Sequence, residues 1–297
     1  MDFDTNNEID KQICDIFPRE TLESISRKNV ECIGINLSSE CDSDFVYKIY
    51  YRDKPSKEIY AKNQKNPILE YLYEKDMVKI LQAVNDNIHF NFSKFDIGFK
   101  NRTDENMFGL FSFLEQNVPL FAEHKDEIIN LAQMKVKSGL DYKYYAFHFC
   151  GFVYENGENT LFKSYWTNDI AKKTGEYNKD YYINYLKEKS DIPQFYELAQ
   201  IINEVIDNCG GYLFMEGIDY TKEGAVSHKI YMIYPESVYD GLLKSIPDKY
   251  EYLKSQLLKV EKWNKIHGER FNCAGLALAK DKKNNLNLKL YYELIGE

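Results

Sequence analysis

The stretch Leu288-Lys289-Leu290-Tyr291 places a lysine and a tyrosine two positions apart in a run that is otherwise apolar. The same Lys-x-Tyr pattern recurs at Tyr47-Lys48-Ile49-Tyr50, Phe162-Lys163-Ser164-Tyr165 and His228-Lys229-Ile230-Tyr231. Side chains alternate between the two faces of a strand, so the lysine and the tyrosine of each repeat share one face. The intervening residue, such as Ile49 or Leu290, lies on the other face. Each repeat therefore predicts a strand with one polar and one mostly apolar face.

The repeats lie in predicted hairpins that alternate with stretches of helical periodicity. The predicted strand pairs are 31–37 with 45–51, 95–100 with 107–114, 144–154 with 160–166, 212–219 with 226–234, and 273–279 with 287–294. Helices are predicted at 6–28, at 67–84, at 119–136, within 169–207 and across 237–266. In the second hairpin, Gly109 and Phe111 occupy the positions that lysine and tyrosine hold in the other four.

Five helix-hairpin units in regular order predict an α+β fold with about ten antiparallel strands. A sheet of that size normally curls or closes. No Pro/Ser-rich linker or charge block divides the chain, so one domain is expected over residues 1–297. The plainer interpretation of Lys-x-Tyr is a solvated strand face with lysines protecting sheet edges. Its recurrence in register in four units favours the alternative, a cluster of ammonium and phenol groups inside the sheet, which requires water or an anion there.

The five units, with Lys-x-Tyr on alternate strands, resemble the ABBA-fold aromatic prenyltransferases, and among them the cyanobactin-type peptide prenyltransferases. The resemblance runs from about Glu31 to Tyr292. It implies five αββα units that form a closed barrel of ten antiparallel strands inside a ring of helices. It also implies transfer of a dimethylallyl or longer prenyl group from its diphosphate to a nucleophilic or aromatic side chain of a peptide. The alternatives are a small aromatic acceptor, or a catalytically silent binding module of the same fold.

The resemblance also implies roles for the repeated residues. The expected diphosphate ligands are Lys48, Lys163, Lys229 and Lys289, and the expected shields of the allylic cation are Tyr50, Tyr165, Tyr231 and Tyr291. Ammonium groups neutralise the charge that develops on the leaving group, and phenol rings stabilise a cation through their electron-rich faces. Mg²⁺ is possible as a companion of the diphosphate, bound mainly through substrate oxygens and water. No organic cofactor is expected.

The repeated residues do not supply the proton acceptor that this reaction requires. These enzymes commonly place a glutamate on the first strand, opposite the first basic residue. Pairing the first hairpin about Asp42 puts Asn36 opposite Lys48, and an amide cannot accept a proton. Glu31 is predicted to face the helices, and Glu40 and Asp42 to lie near the rim.

His148 is the alternative proton acceptor, because imidazole titrates near neutral pH. The turn at Asn156-Gly157 predicts that His148 lies opposite Tyr165, on the face that carries Lys163. A single histidine in a strand is more often a structural hydrogen-bonding residue. Glu216 and Asp219 are fallback acids whose facing the sequence leaves open.

Composition excludes several other classes of protein. The 297 residues carry a formal net charge of -9, which argues against a general nucleic-acid binder. The 6 cysteines include no C-x-x-C pair and predict reduced thiols. The sequence shows no Asp-Asp-x-x-Asp, P-loop or G-x-G-x-x-G motif, no metal-ligand spacing and no apolar run long enough for a membrane span. A cytoplasmic protein with no membrane partner is expected, and the end of the sequence soon after the last predicted strand favours an open barrel mouth and a peptide acceptor.

Overall fold

The computed structural model describes residues 3–17, 19–23, 26–39, 46–53, 79–84, 94–95, 104–137, 147–155, 158–167, 193–233, 235–267 and 271–294. Helices in these ranges are α1 (Glu8–Ile16), α2 (Arg19–Glu23), α3 (Asp104–Asn117), α4 (Pro119–Lys137), α5 (Pro193–Cys209), α6 (Val238–Ser245) and α7 (Glu251–His267). Strands are β1 (Val30–Leu37), β2 (Val46–Asp53), β3 (Lys79–Val84), β4 (Lys94–Phe95), β5 (Phe147–Glu155), β6 (Glu158–Thr167), β7 (Tyr212–Thr221), β8 (Gly224–Ile233), β9 (Phe271–Asp281) and β10 (Leu286–Leu294). Two 3-10 turns, Arg27–Asn29 and Asp248–Tyr250, precede β1 and α7.

The strands form one curled antiparallel sheet. They pair in the order β1-β10-β9-β8-β7-β6-β5-β4-β3-β2, and β1 also pairs with β2. The link through β4 is thin, because this strand has two residues and meets β5 at the single pair Phe95 and Cys150. The expected curled antiparallel sheet with helices is therefore confirmed, and its full closure into a ten-stranded barrel stays a prediction.

One face of the sheet packs against helices, as the apolar alternation predicts. Ile33, Ile49 and Leu290 have no exposed surface, and they belong to one buried cluster with Leu198 of α5 and Leu253 of α7. Burying such side chains stabilises the fold by about 1.5–3 kcal/mol each. The helix-covered face leaves the opposite, concave face to the Lys-x-Tyr residues.

Four of the five predicted hairpins are present, as β1/β2, β5/β6, β7/β8 and β9/β10. The predicted helix at 119–136 is α4, and the predicted stretch at 237–266 becomes α6, a 3-10 turn and α7. The predicted N-terminal helical stretch contains two separate helices, α1, which ends at Ile16, and α2, which begins at Arg19. In the β7/β8 turn, Gly224 adopts φ 106, a backbone angle that L side chains rarely tolerate.

The prediction for the second hairpin is wrong. Residues 107–114, predicted as a strand, lie in α3, and residues 79–84, predicted as the end of a helix, form β3 and pair with β2. The apolar residues 107, 110, 111 and 114 follow helical rather than strand spacing. Gly109 and Phe111 are therefore not sheet positions, and Phe111 is buried against Phe121 of α4, with ring centroids 5.5 Å apart.

Several predicted features lie outside the described residues. These are the helix at 67–78, the helical region at 169–192, the strand at 96–100, the Asn156-Gly157 turn, and Glu40 and Asp42. The assignment of one domain over residues 1–297 also stays a prediction. No helix in the described ranges is both long and apolar enough to cross a membrane.

Candidate active site

Four tyrosines from alternate strands converge on the concave face. Ring centroids of Tyr50 and Tyr291 are 5.7 Å apart, those of Tyr291 and Tyr231 are 6.3 Å apart, and those of Tyr231 and Tyr165 are 5.9 Å apart. One strand separates the members of each pair, so their backbones are roughly 9.5 Å apart across the sheet. The rings are closer together than the backbones that carry them. The sheet therefore curls toward this face and gathers the rings into a continuous arc.

The arc is buried and its hydroxyls are linked. Tyr165 and Tyr291 hydrogen-bond with Tyr231, and Tyr50 hydrogen-bonds with Tyr291. Burial raises the pKa of Tyr50, Tyr165 and Tyr291 well above the usual tyrosine value, and burial also raises the pKa of Tyr231. The phenols therefore stay neutral at physiological pH. A neutral phenol offers its electron-rich face to a cation without the reactivity of a phenolate.

Three of the four lysines of the repeat lie across the sheet from the tyrosine of another hairpin, with one small residue between them. Residues directly opposite one another in a sheet point to the same face. The three aligned rows are Tyr165-Gly217-Lys229, Tyr231-Ala277-Lys289 and Tyr291-Gly34-Lys48. In the first row, the Lys229 Nζ lies 5.9 Å from the centroid of the Tyr165 ring. The repeat therefore interleaves cations and aromatic rings.

The small residues leave the space that the rings occupy. A Cβ atom added to Gly217 would lie 2.9 Å from Cδ1 of Tyr165, and one added to Gly34 would lie 2.7 Å from Cε2 of Tyr50. Both separations are shorter than a carbon–carbon van der Waals contact. The Tyr165 and Tyr50 rings therefore lie flat over backbone that has no side chain.

We expect Gly217→Ala to destabilise the protein by about 1–3 kcal/mol, because the added methyl group displaces the Tyr165 ring. The opposite sign is expected of an ordinary strand, where alanine is favoured over glycine by about 0.5–1 kcal/mol. In a Tyr165→Ala background the clash is absent, and Gly217→Ala should be neutral or stabilising. Urea unfolding of the four proteins measures this coupling. Equal effects of Gly217→Ala in both backgrounds would contradict the proposed contact.

Lys163 and Lys229 share one carboxylate, Asp219. Asp219 lies opposite Lys163 between β6 and β7, and its Oδ2 forms an ion pair with the Lys229 ammonium. Burial lowers the pKa of Lys163 to about 8, assisted by the Lys229 charge and opposed by Asp219. Burial alone would lower the pKa of Lys229, but Asp219 outweighs it and raises that pKa above the usual lysine value. Two ammonium groups with one carboxylate leave excess positive charge for an anion.

A cavity of about 470 Å³ opens beside these rows. Of the predicted site residues, it is lined by Asn36, Lys229, Tyr231 and Lys289, with Ala277 and Ala279 between them. Small-molecule sites typically occupy about 300–1,000 Å³, so the volume suits a small ligand. The wall provides two ammonium groups and one phenol ring, and Asp281 also lines it.

Asn36 is on the concave face but not at its predicted place. Gly34 lies opposite Lys48, whereas Asn36 lies opposite Val46 on one side and Lys289 on the other. The first hairpin therefore pairs two residues away from the register that the Asp42 turn predicts, which preserves the facing of Asn36 and changes its neighbour. Its Oδ1 is buried and makes no hydrogen bond. Asn36 can accept a hydrogen bond from a ligand, and its catalytic role stays a prediction.

The register predicted for His148 is wrong by one residue. Phe149 lies opposite Tyr165 and Gly151 lies opposite Lys163. An irregularity near Thr160 in β6 causes the shift, and a second one at 147–149, where His148 itself lies, restores the predicted register at Phe147 and Trp166. The side chain of His148 is outside what the structure describes, as is that of Glu31, so the role of His148 stays a prediction.

The two fallback acids, Asp219 and Glu216, lie on opposite faces of the sheet. Asp219 lies on the concave face beside Lys163 and Lys229, whereas Glu216 pairs with Trp166 and Ile230 on the helix-covered face and has no exposed surface. No group of three or more His, Cys, Asp or Glu within the described ranges is placed to hold a metal ion.

A scan of known protein families finds no match to the chain, and no curated protein matches its sequence. Solved structures, in contrast, do match the chain. The chain is similar to the crystal structure of NotF prenyltransferase, with a TM-score of 0.59 and 10% identity over 90% of this chain and 80% of that chain. It is also similar to AnaPT from Neosartorya fischeri, with a TM-score of 0.53 and 8% identity over 90% of this chain and 78% of that chain.

At this level of identity the likeness establishes a shared fold. The predicted resemblance to prenyltransferases is confirmed for the curled antiparallel sheet and its helices. The more specific assignment to the cyanobactin-type peptide enzymes stays a prediction.

Proposed function

We propose that this protein transfers a prenyl group from its diphosphate to a nucleophilic or aromatic acceptor, within a closed ten-stranded barrel. The observation that carries the proposal is the interleaving of three tyrosine-small-lysine rows on one concave face. Cations for a leaving anion and aromatic faces for a developing carbocation lie side by side in these rows. The fold shared with prenyltransferase structures supports the same reaction class.

The proposed diphosphate ligands are Lys48, Lys163, Lys229 and Lys289. Lys229 and Lys289 line the cavity, and Lys163 interacts electrostatically with Lys229 and Asp219. Lys48 lies in the row of Tyr291. As the prenyl C–O bond breaks, these ammonium groups compensate the charge that accumulates on the diphosphate.

The proposed cation shield is the arc of Tyr50, Tyr165, Tyr231 and Tyr291. Its rings pack edge to face or tilted, so faces and edges line one continuous wall. Tyr165 and Tyr231 of the arc are buried with Met215 and Ala277 in a cluster separate from the helix-facing core, and Tyr291 packs against that cluster. A wall of this kind excludes water, which would otherwise capture an allylic cation.

We propose a peptide side chain as the acceptor, in a cytoplasmic enzyme, and a small aromatic compound as the alternative. A silent binding module is a third candidate, because Gly34 rather than a carboxylate lies opposite Lys48. Mg²⁺, where present, would be held by diphosphate oxygens and water. Asp219, beside Lys163, is paired with Lys229, and both oxygens of Asp281, which lines the cavity, accept hydrogen bonds from Asn285.

Incubation with dimethylallyl diphosphate separates these candidates. The acceptors are peptides that contain Tyr, Trp, His or Arg, together with the free amino acids, and products are measured by mass spectrometry. Prenylated peptide supports the proposal, and prenylation of free amino acids alone supports the small-acceptor alternative. Tight binding of a diphosphate without turnover supports the silent module. Absence of both binding and turnover would refute the function.

We expect diphosphate affinity to fall as pH rises through about 8, because burial lowers the pKa of Lys163 to about that value. Below this pH the ammonium is already formed, so binding takes up no proton there. Above it, binding must protonate the amine, and affinity should fall by up to roughly tenfold per pH unit. Calorimetric titration with inorganic diphosphate across this range measures the effect. Lys163→Arg is the control, because arginine stays charged throughout, and an identical pH profile would contradict the assignment.

A further inference from the structure

We infer that Asp219 is the proton acceptor of the transfer reaction, an inference that rests on the proposed function. Asp219 lies on β7 between Lys163 of β6 and Ser227 of β8, on the concave face. Its residue is 6% exposed, so it is shielded from bulk water. Ser227, directly opposite Asp219, and its ion-pair partner Lys229 line the cavity, so the carboxylate lies next to two residues of the cavity wall.

The two oxygens of Asp219 have different environments. Oδ2 is paired with the Lys229 ammonium, whereas Oδ1 is buried and makes no hydrogen bond. A buried carboxylate oxygen without a hydrogen-bond donor is energetically costly. An atom of this kind, next to residues that line the cavity, is explained if a bound acceptor supplies the missing hydrogen. Lys229 therefore fixes one oxygen and leaves the other to accept a proton.

The other candidates for this role fit less well. Asn36 has an amide, which cannot accept a proton at neutral pH. Glu216 faces the helices, and Asp281 uses both oxygens to bind Asn285 in the β9/β10 turn. Within the described part of the chain, Asp219 is a carboxylate that lies on the concave face and has one oxygen that makes no hydrogen bond.

The proposed step balances without an oxidant or a reductant. The bond between prenyl C1 and the diphosphate oxygen breaks, and its electron pair leaves with the diphosphate. The acceptor donates an electron pair to C1 and loses its proton to Oδ1 of Asp219. The proton passes to water when products leave, and the products are the prenylated acceptor and diphosphate.

We expect Asp219→Asn to lower kcat by about 100-fold or more, the usual contribution of general base catalysis. Binding of an unreactive dimethylallyl thiolodiphosphate should be retained or become tighter, because the variant removes a negative charge beside Lys163 and Lys229. Turnover is measured with saturating dimethylallyl diphosphate and the acceptor peptide found above, and calorimetry measures analogue binding. Glu223→Gln is the matched control in the same hairpin, since Glu223 is exposed in the β7/β8 turn and bonds with Thr221.

Asp219→Glu keeps the carboxylate and guards against misfolding of the asparagine variant. It should recover activity to within about tenfold of wild type. Asp219→Asn turnover within threefold of wild type would overturn the inference while leaving the proposed function intact. Loss of analogue binding with normal turnover at saturating donor would also overturn it, by placing Asp219 in the donor site. A wild-type protein with no turnover would refute the proposed function, and with it the base.

Discussion

Lys163→Met is expected to weaken binding of a diphosphate by about 10- to 100-fold while leaving the fold as stable as before or more stable. A hydrogen bond from a charged group contributes about 1.5–3 kcal/mol, which sets the loss of affinity. The gain in stability has a separate cause. Burial lowers the pKa of Lys163 to about 8, so the folded protein holds this ammonium against an energetic cost. Calorimetry with inorganic diphosphate and urea unfolding measure the two quantities.

Two further variants test whether the effects on affinity and stability are specific to Lys163. Lys282→Met removes an exposed lysine from the β9/β10 turn and should change neither quantity. Lys229→Met should weaken binding and also destabilise the protein, because Asp219 loses its ion-pair partner. Unchanged affinity in both Lys163→Met and Lys229→Met would defeat the assignment of the diphosphate ligands. Loss of stability in Lys163→Met would show that this lysine is structural.

The strands of the four correct hairpins were predictable because their apolar residues alternate and helix-facing positions are buried. Ile33, Ile35 and Leu37 in β1, and Leu286, Leu288 and Leu290 in β10, show this alternation. The second hairpin was missed because the expectation of a regular repeat outweighed the local spacing in α3. Asp104 and Glu105, acidic residues at the start of that helix, add a signal that favours an N-terminus.

The face of the sheet on which a side chain lies was easier to predict than the residues that lie directly opposite it. Lys48 and Asn36 share the concave face as the alternation requires, but their hairpin is displaced by two residues, which preserves facing. The β5/β6 hairpin is displaced by one residue near Thr160, and this reverses which face residues 149–153 of β5 share with β6. Bulges depend on tertiary packing and leave little trace in a single sequence. Pairings on which a catalytic residue depends were therefore the least predictable part of the site.

The sequence contained a further signal that tyrosine and lysine alone do not show. Gly34, Gly217 and Ala277 lie between them in the three rows, and small residues inside otherwise bulky strands often mark close approach of another group. Their meaning emerges only when strand order is known. Asp219 was visible as an acid but not as a partner of Lys229, because its facing depends on the register of β7.

The largest stability effect is expected at the ion pair between Lys280 of β9 and Glu197 of α5, which joins the sheet to its helical layer. Lys280 has no exposed surface, and its ammonium lies 5.7 Å from the centroid of the Tyr250 ring. Glu197 binds Lys280, and it also accepts a hydrogen bond from the Tyr250 hydroxyl at 2.7 Å and pairs with Lys249 at 2.6 Å. Removing one member of a buried pair costs about 3–5 kcal/mol, because the remaining charge is left without a partner.

Glu197→Gln should therefore unfold at a clearly lower urea concentration than wild type, whereas the double variant Glu197→Leu with Lys280→Met should recover most of the loss. Burial raises the pKa of Glu197, but its bonds with Lys249, Lys280 and Tyr250 outweigh that effect and lower the pKa to about 2. The carboxylate thus stabilises the fold fully above its unfolded pKa of about 4.3, and this contribution is lost as pH falls toward 2. The difference between wild type and Glu197→Gln should shrink over the same interval. Asp248→Asn, which breaks an exposed pair with Lys254, is the control, and an equal effect of the two substitutions at neutral pH would contradict the buried pair.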